Sequence, residues 1–273
     1  VKLTFAYSPC PNDTFTFYGL AKGLIKSPPD HTGGGYEIET RLYDVETLNR
    51  MAFDGAHDVT KLSFHAWLQL RESYQLLRVG TTLGHGCGPL VVVKAPLGDP
   101  RAPLGRVAIP GEHTTAHLLF RLWAPEERNV VFVPFDRIMG MVAAGEVDAG
   151  VIIHEGRFVY GQRGLACRVD LGEWWEGQTG LPIPLGCIAA RKGLGKDCIA
   201  ACETMIEASL RLALGNPSLP QAYVKQHAQE LDDDVVRNHI ATYINDFSLE
   251  LGPTGREAIA VLEERARGMG IGR

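Results

Sequence analysis

The sequence predicts an α/β protein of two lobes, each a mostly parallel sheet flanked by helices, with a cleft between them. Three observations carry this prediction. The apolar run Leu3 to Tyr7 breaks into the polar turn Ser8-Pro-Cys-Pro-Asn-Asp-Thr14 and then into a helix-periodic stretch from Thr16 to Ile25. The segment Met51-Ala-Phe-Asp-Gly-Ala-His-Asp58, ahead of Val59 to Ser63, is echoed by Met141-Val-Ala-Ala-Gly-Glu-Val-Asp148, ahead of Ala149 to Ile153. In both copies a Met-bearing helix ends at Gly, which accepts the left-handed C′ conformation, and an Asp three residues later opens a strand. Arg106 to Ile109, running into Pro110-Gly-Glu-His-Thr-Thr115, repeats the opening strand and turn. Each half thus reads strand, turn, helix, strand, helix, Gly-Asp, strand, which builds a largely parallel sheet.

Taken in chain order, the two prolines of the first turn fix the backbone, and Asn12, Asp13 and Thr14 are each able to cap the helix that follows. Such a turn either caps the helix and no more, or leaves N–H groups free for an anionic ligand. Gly88 to Lys94 leaves the first half, and Pro184 to Arg191 follows the second; both read as connections between lobes. The expected division is a larger, discontinuous lobe of residues 1–90 and 189–273, with residues 91–188 inserted as a second lobe. From about Lys196 the pattern is helical. Asp232-Asp-Asp234 is a helix start with acidic groups at the positive end of the dipole, and Thr254 to Gly268 is a last amphipathic stretch against the first lobe.

Composition narrows the class of partner. The chain has 273 residues, of which 45% are apolar and 22% charged, with a formal charge of -5 and no dense Lys/Arg run. That balance argues against nucleic acid or acidic membranes as the main partner, and no apolar stretch is long enough to cross a bilayer. No signal-peptide pattern precedes the first strand, and the six cysteines are scattered without a CxxC pair, so a cytoplasmic protein with reduced thiols is expected. His113 and His117 lie four apart on an expected helix, but no Glu follows His113 as a zinc-protease helix requires, and no metal site is expected. Oligomeric state is not set by the sequence.

In α/β sheets ligands bind beyond the carboxyl ends of the strands, where the polar turns collect. This rule places Ser8, Asn12, Thr14, Lys61, Leu62 and Ser63 on one wall of the cleft, and Thr114, Thr115 and His154 on the other. The threonine pair either donates to a carboxylate or caps its helix. His154 ends the apolar run Val151 to Ile153; partly desolvated there, its imidazole stays neutral at pH 7 and accepts a proton. Glu155 either points away or turns back to orient it. Cys10, between two prolines, reads as a small buried residue.

These segments also carry a family resemblance. Ser8-Pro-Cys-Pro-Asn-Asp-Thr-Phe15, Asp44-Val-Glu-Thr-Leu-Asn49, Thr60-Lys-Leu-Ser63, His113-Thr-Thr115, Ile153-His-Glu155, Gly180-Leu-Pro-Ile-Pro-Leu-Gly186 and Thr242-Tyr-Ile-Asn-Asp-Phe-Ser248 resemble the 1,4-dihydroxy-6-naphthoate synthases of the futalosine route to menaquinone. The resemblance runs through the whole chain. It implies a periplasmic-binding-protein-like fold of type II and a small-molecule carboxylate substrate, cyclic dehypoxanthine futalosine. It also implies carbon–carbon cleavage without a redox cofactor. His154 then corresponds to the proton acceptor, and Lys61, Leu62, Ser63, Thr114 and Thr115 to substrate contacts. Two other readings share the fold: a non-catalytic binding protein, and chorismate dehydratase of the same pathway, whose motifs match less closely.

Overall fold

The structure, a computed structural model, describes residues 1–30, 33–99, 101–229 and 232–272. The first lobe's chain runs β1 (Lys2–Tyr7), α1 (Pro11–Ala21), β2 (Glu37–Leu42), α2 (Val45–Phe53), β3 (Val59–Ser63), α3 (Phe64–Leu70), β4 (Tyr74–Leu76) and β5 (Thr82–Gly84). It continues through β6 (Leu90–Lys94), β7 (Val107–Ile109), α4 (Thr115–Trp123), β8 (Val130–Phe132), α5 (Phe135–Ala144), β9 (Ala149–Ile152), α6 (Gly156–Val159), β10 (Leu165–Asp170) and α7 (Leu171–Thr179). The long β11 (Ile183–Arg191) precedes the helical remainder: α8 (Lys196–Gly215), α9 (Gln221–His227), α10 (Asp233–Tyr243), α11 (Asp246–Leu249) and α12 (Gly252–Gly268).

The echo in the sequence is a repeat in topology. In one sheet β1 lies parallel between β2 and β3, with Phe5 beside Val59; in the other β7 lies parallel between β8 and β9, with Val107 beside Ala149. Each trio is then extended by an antiparallel strand, β11 against β3 and β6 against β9, so both sheets are mixed. β4 and β5 pair with β11, and β10 pairs with β6. The chain therefore leaves the first sheet after β5 and returns to it along the whole of β11. In both trios the ladder ends where the expected polar segments begin: Ser8 after β1, Pro110 after β7, and His154 just past β9.

Packing explains why the two sheets sit together. One apolar cluster joins Leu62 of β3 and Phe64 and Leu68 of α3 to Val107 of β7, Leu119 of α4 and Trp175 of α7. Separate clusters line the outer faces, one with α1 and α8, one with α5. Trp175 is fully buried and its indole N–H donates to the Pro182 carbonyl at 3.2 Å, so its large apolar area is removed from water without an orphaned donor. At the start of β6 the backbones of Gly88 and Gly172 approach so closely that a Cβ on Gly88 would stand 2.2 Å from the Gly172 nitrogen. Only a residue without a side chain allows that crossing. α12 packs on β11 of the first sheet, as its amphipathic pattern indicated.

Local structure departs from the sequence reading at α1. The helix starts at Pro11, not Thr16, with Cys10 as the N-cap residue and no side-chain cap bond from it. Pro suits the first helical position because its missing N–H would be unpaired there anyway. Asn12, Asp13 and Thr14 therefore sit inside the first turn instead of ahead of it. His113, too, precedes α4, so it does not share a helical turn with His117.

Candidate active site

The polar strand ends enclose a cavity of about 90 Å³ lined from both sheets. Ser8, Asn12, Lys61, Leu62, Ser63, Thr114, Thr115 and His154 all border it; Thr14 does not. The Thr14 hydroxyl donates to the Cys10 and Pro11 carbonyls, closing the first turn of α1. Asp13, Thr82, His239 and Tyr243 border the cavity as well. Thr82 and His239 carry no signal in the sequence, because β5 and α10 reach the cleft only through tertiary packing; Tyr243 lies in the Thr242–Ser248 segment of the resemblance.

The expected N–H-rich corner at Ser8 already holds an anion of its own. The Asp13 carboxylate accepts from the Ser8 hydroxyl at 2.6 Å, from the Ser8 backbone N–H at 3.3 Å and from the Asn12 amide at 2.9 Å. Lys61 Nζ donates to the same carboxylate at 2.8 Å, and both side chains are almost completely buried. The ammonium also donates to the Thr82 hydroxyl at 2.8 Å, which leaves its third hydrogen for a ligand. The reason for the departure is local: winding the helix from Pro11 turns the third helical residue, Asp13, back over Ser8. A carboxylate there satisfies the donors that a ligand would otherwise take.

The second turn is closed by a different device. Glu46, on α2 of the first lobe, accepts from the backbone N–H groups of Glu112 (3.1 Å) and His113 (3.1 Å) across the cleft. Thr114 caps α4, accepting from His117 N–H and donating to the Gly111 carbonyl at 2.8 Å. The Thr115 hydroxyl donates to the Leu185 carbonyl of β11 at 2.6 Å, a bond from α4 to a strand of the first sheet. Both threonine hydroxyls are therefore engaged by protein. What α4 offers a ligand is its N-terminal end, where the first backbone N–H groups have no carbonyl one turn back within the helix. Ser63 completes this side: its backbone N–H donates to Asn49 Oδ1 at 2.9 Å and its oxygen accepts from Asn49 Nδ2 at 3.1 Å, so the hydroxyl hydrogen is available.

His154 sits opposite. Its φ of 57° is the left-handed region, which non-glycine residues adopt at a cost of roughly 1–2 kcal/mol. The turn swings the ring off the line of β9 towards the first lobe, where Nδ1 lies 3.2 Å from Cys10 Sγ. Phe135 packs its edge against the ring at 4.8 Å between centroids. Burial pushes the imidazole down to about 4, with Lys61 adding to the shift and Asp13 opposing it. Burial, with the Glu155 and Asp13 charges, holds the Cys10 thiol well above its ordinary range, so Cys10 is a neutral partner. The orienting group for His154 is thus Cys10 across the cleft, and neither the sequence spacing nor the motif pointed to it.

Buried neutral histidines set the acid stability. His65 is pushed down to about 3 by burial, although its bond to the Thr114 carbonyl raises it, and His154 is pushed down to about 4. An unfolded chain takes up protons at these residues near pH 6.5, while the folded chain does not until about pH 4 or below. The unfolded state therefore binds more protons in that window, and stability falls as pH falls through it. The expected loss is roughly 2 kcal/mol per histidine between about pH 7 and about pH 5. Urea midpoints at the two pH values measure it; an unchanged midpoint contradicts the neutral state of both rings.

Two mixed α/β sheets with a cavity at their facing strand ends define a two-lobed fold of the periplasmic-binding-protein type. A Candida albicans gene product described as having the generic periplasmic binding protein fold superposes with a TM-score of 0.69 at 12% identity, over 99% of this chain and 90% of that one. The chain belongs to the menaquinone biosynthesis family, whose model matches residues 3–268. It is 49% identical to a 1,4-dihydroxy-6-naphtoate synthase of Thermus thermophilus, over 98% of this chain and 95% of the relative. It is 42% identical to the protein of that name from Streptomyces coelicolor, over 98% and 94%. A solved structure from Archaeoglobus fulgidus matches at a TM-score of 0.91 and 35% identity, covering 98% of both chains. The Thermus and Streptomyces relatives carry the name of an enzyme, a synthase. Among the described residues no helix is long and apolar enough to cross a membrane.

Proposed function

We propose that this chain is a 1,4-dihydroxy-6-naphthoate synthase: a lyase that cleaves a carbon–carbon bond of cyclic dehypoxanthine futalosine, without a cofactor, in the cavity between the sheets. The observation that carries the reading is His154, a neutral imidazole held in a left-handed turn at the cavity wall, with its proton affinity lowered by burial. The relatives' shared name supplies the product, a dihydroxynaphthoate, and the resemblance of the motifs supplies the substrate. In this reading the lobes that close on the substrate are residues 1–90 with the chain from β11 onward, and the stretch inserted between them.

The chemistry follows from the available groups. In this reading Nδ1 of His154, 3.2 Å from the Cys10 sulfur, carries the ring hydrogen, and the Nε2 lone pair takes a proton from the bound substrate. The electrons left behind drive a retro-aldol-like cleavage, and aromatisation of the bicyclic fragment draws the later steps forward. The substrate carboxylate lies against the N-terminal end of α4 and the Ser63 hydroxyl. The remaining Lys61 hydrogen and the Thr82 hydroxyl face the charge that develops during cleavage. Closure of the lobes keeps water from the intermediate.

Incubation of the protein with the cyclic futalosine derivative should produce the ultraviolet absorbance of a dihydroxynaphthoate. A thermal shift without product would instead make the chain a binding protein, and turnover of chorismate in a parallel incubation would make it a dehydratase. Either outcome overturns the reading.

A further inference from the structure

The hydrogen-bond chain beside the ion pair fixes the state of a second histidine in the cavity. Lys61 donates to Asp13 Oδ1, and a carboxylate paired with an ammonium only accepts. The Asn12 side chain therefore turns its amide nitrogen to Asp13, at 2.9 Å. Its carbonyl oxygen then faces His239 Nε2, also at 2.9 Å, and that nitrogen must carry the hydrogen. His239 is fully buried, and burial with the nearby His154 and Lys61 holds it far below the usual imidazole range, so the ring carries one proton only. Nδ1 is consequently a bare lone pair. It has no hydrogen-bond partner among the described residues, and His239 borders the cavity.

We infer that His239 Nδ1 accepts a hydrogen bond from a hydroxyl of the ligand bound in this cavity. The inference rests on the cavity being the substrate site and adds what that reading left open: which group receives a substrate hydroxyl. The other ligand-facing groups on the first lobe are donors, namely the Lys61 ammonium and the hydroxyls of Ser63 and Thr82. A carboxylate suits those donors, whereas an alcohol needs an acceptor, and Nδ1 supplies it. The rings of His239 and His154 stack with centroids 6.3 Å apart and planes 21° from parallel, so a hydroxyl at Nδ1 places its carbon skeleton near the base. His239 thus binds, while His154 removes the proton. An unpaired buried acceptor is costly, and a ligand hydroxyl relieves that cost only when the right substrate is present.

Long-range nitrogen–proton NMR of the full chain labelled at histidine nitrogens tests the assignment directly. The ligand-free protein should show His239 with its proton on Nε2, and titration with the cyclic futalosine derivative should move the Nδ1 resonance to lower frequency, as for an acceptor gaining a bond. A proton on Nδ1, or an Nδ1 resonance that stays fixed at saturating ligand, overturns the inference. In kinetics His239→Phe, which keeps the ring and removes the acceptor, should lower kcat/KM about tenfold or more. His239→Asn, which places an amide oxygen near the Nδ1 position, should recover part of the loss. Unchanged kcat/KM in the Phe variant also overturns it. Absence of naphthoate from the unmodified enzyme would remove the proposed function while the tautomer and titration still decide the role of His239.

Discussion

His154→Asn is expected to lower turnover by about 10²–10⁴, the range that a positioned general base contributes, with substrate affinity within about tenfold of the unmodified protein. Asn is the informative replacement because it tolerates the left-handed conformation that His154 occupies at φ 57°, so the loop keeps its shape while the base is removed. Alanine in that conformation would add strain to the loss of the base and blur the result. The pH profile gives a second measure. The imidazole has to be unprotonated to act, and burial pushes it down to about 4. The acid limb of kcat/KM set by this residue should fall near pH 4, well below the value for a solvated histidine, and should vanish in the Asn variant. Near-normal turnover in that variant removes His154 from the chemistry.

Lys61→Met should be the most damaging single change to stability and activity together. It leaves the Asp13 carboxylate buried with the Ser8 and Asn12 donors but without a counter-charge. Removing one partner of a buried pair costs about 3–5 kcal/mol, since the charge left behind is neither hydrated nor balanced. The same change removes the ammonium hydrogen that faces the cavity, so kcat/KM should fall by about a hundredfold or more in whatever fraction stays folded. Combining it with Asp13→Asn separates the two effects. The double variant has no stranded charge and should regain much of the stability measured by urea unfolding, yet remain inactive. Recovery of activity along with stability would show that Lys61 serves the fold alone.

How much of this was legible in the chain depends on the distance over which each interaction acts. The two βαβ trios could be read because Met, Gly and Asp at fixed spacing specify a helix end and a strand start within a few residues. His154 was visible as the polar end of an apolar strand. The start of α1 was misplaced because Pro-Cys-Pro reads as a helix breaker, although proline is accepted at the first helical position. The closing of both N–H-rich turns by internal carboxylates was not readable either. Glu46 reaches residues 112 and 113 across the cleft, and Asp13 meets Lys61 from a strand 48 positions away.

The sequence alone therefore determined the doubled α/β architecture, the family and the set of polar strand ends that form the cavity. Those are local patterns, repeated often enough along the chain to be unambiguous. Only the tertiary structure decided which of these groups are free to meet a ligand. Hydrogen-bond donors and acceptors are satisfied by whatever packing brings within about 3 Å, regardless of separation along the chain. So the threonine hydroxyls at the mouth of α4 are engaged, the Ser8 corner holds Asp13, and Cys10 orients His154. His239, carried in by a helix 85 residues after His154, supplies an acceptor that no motif announced.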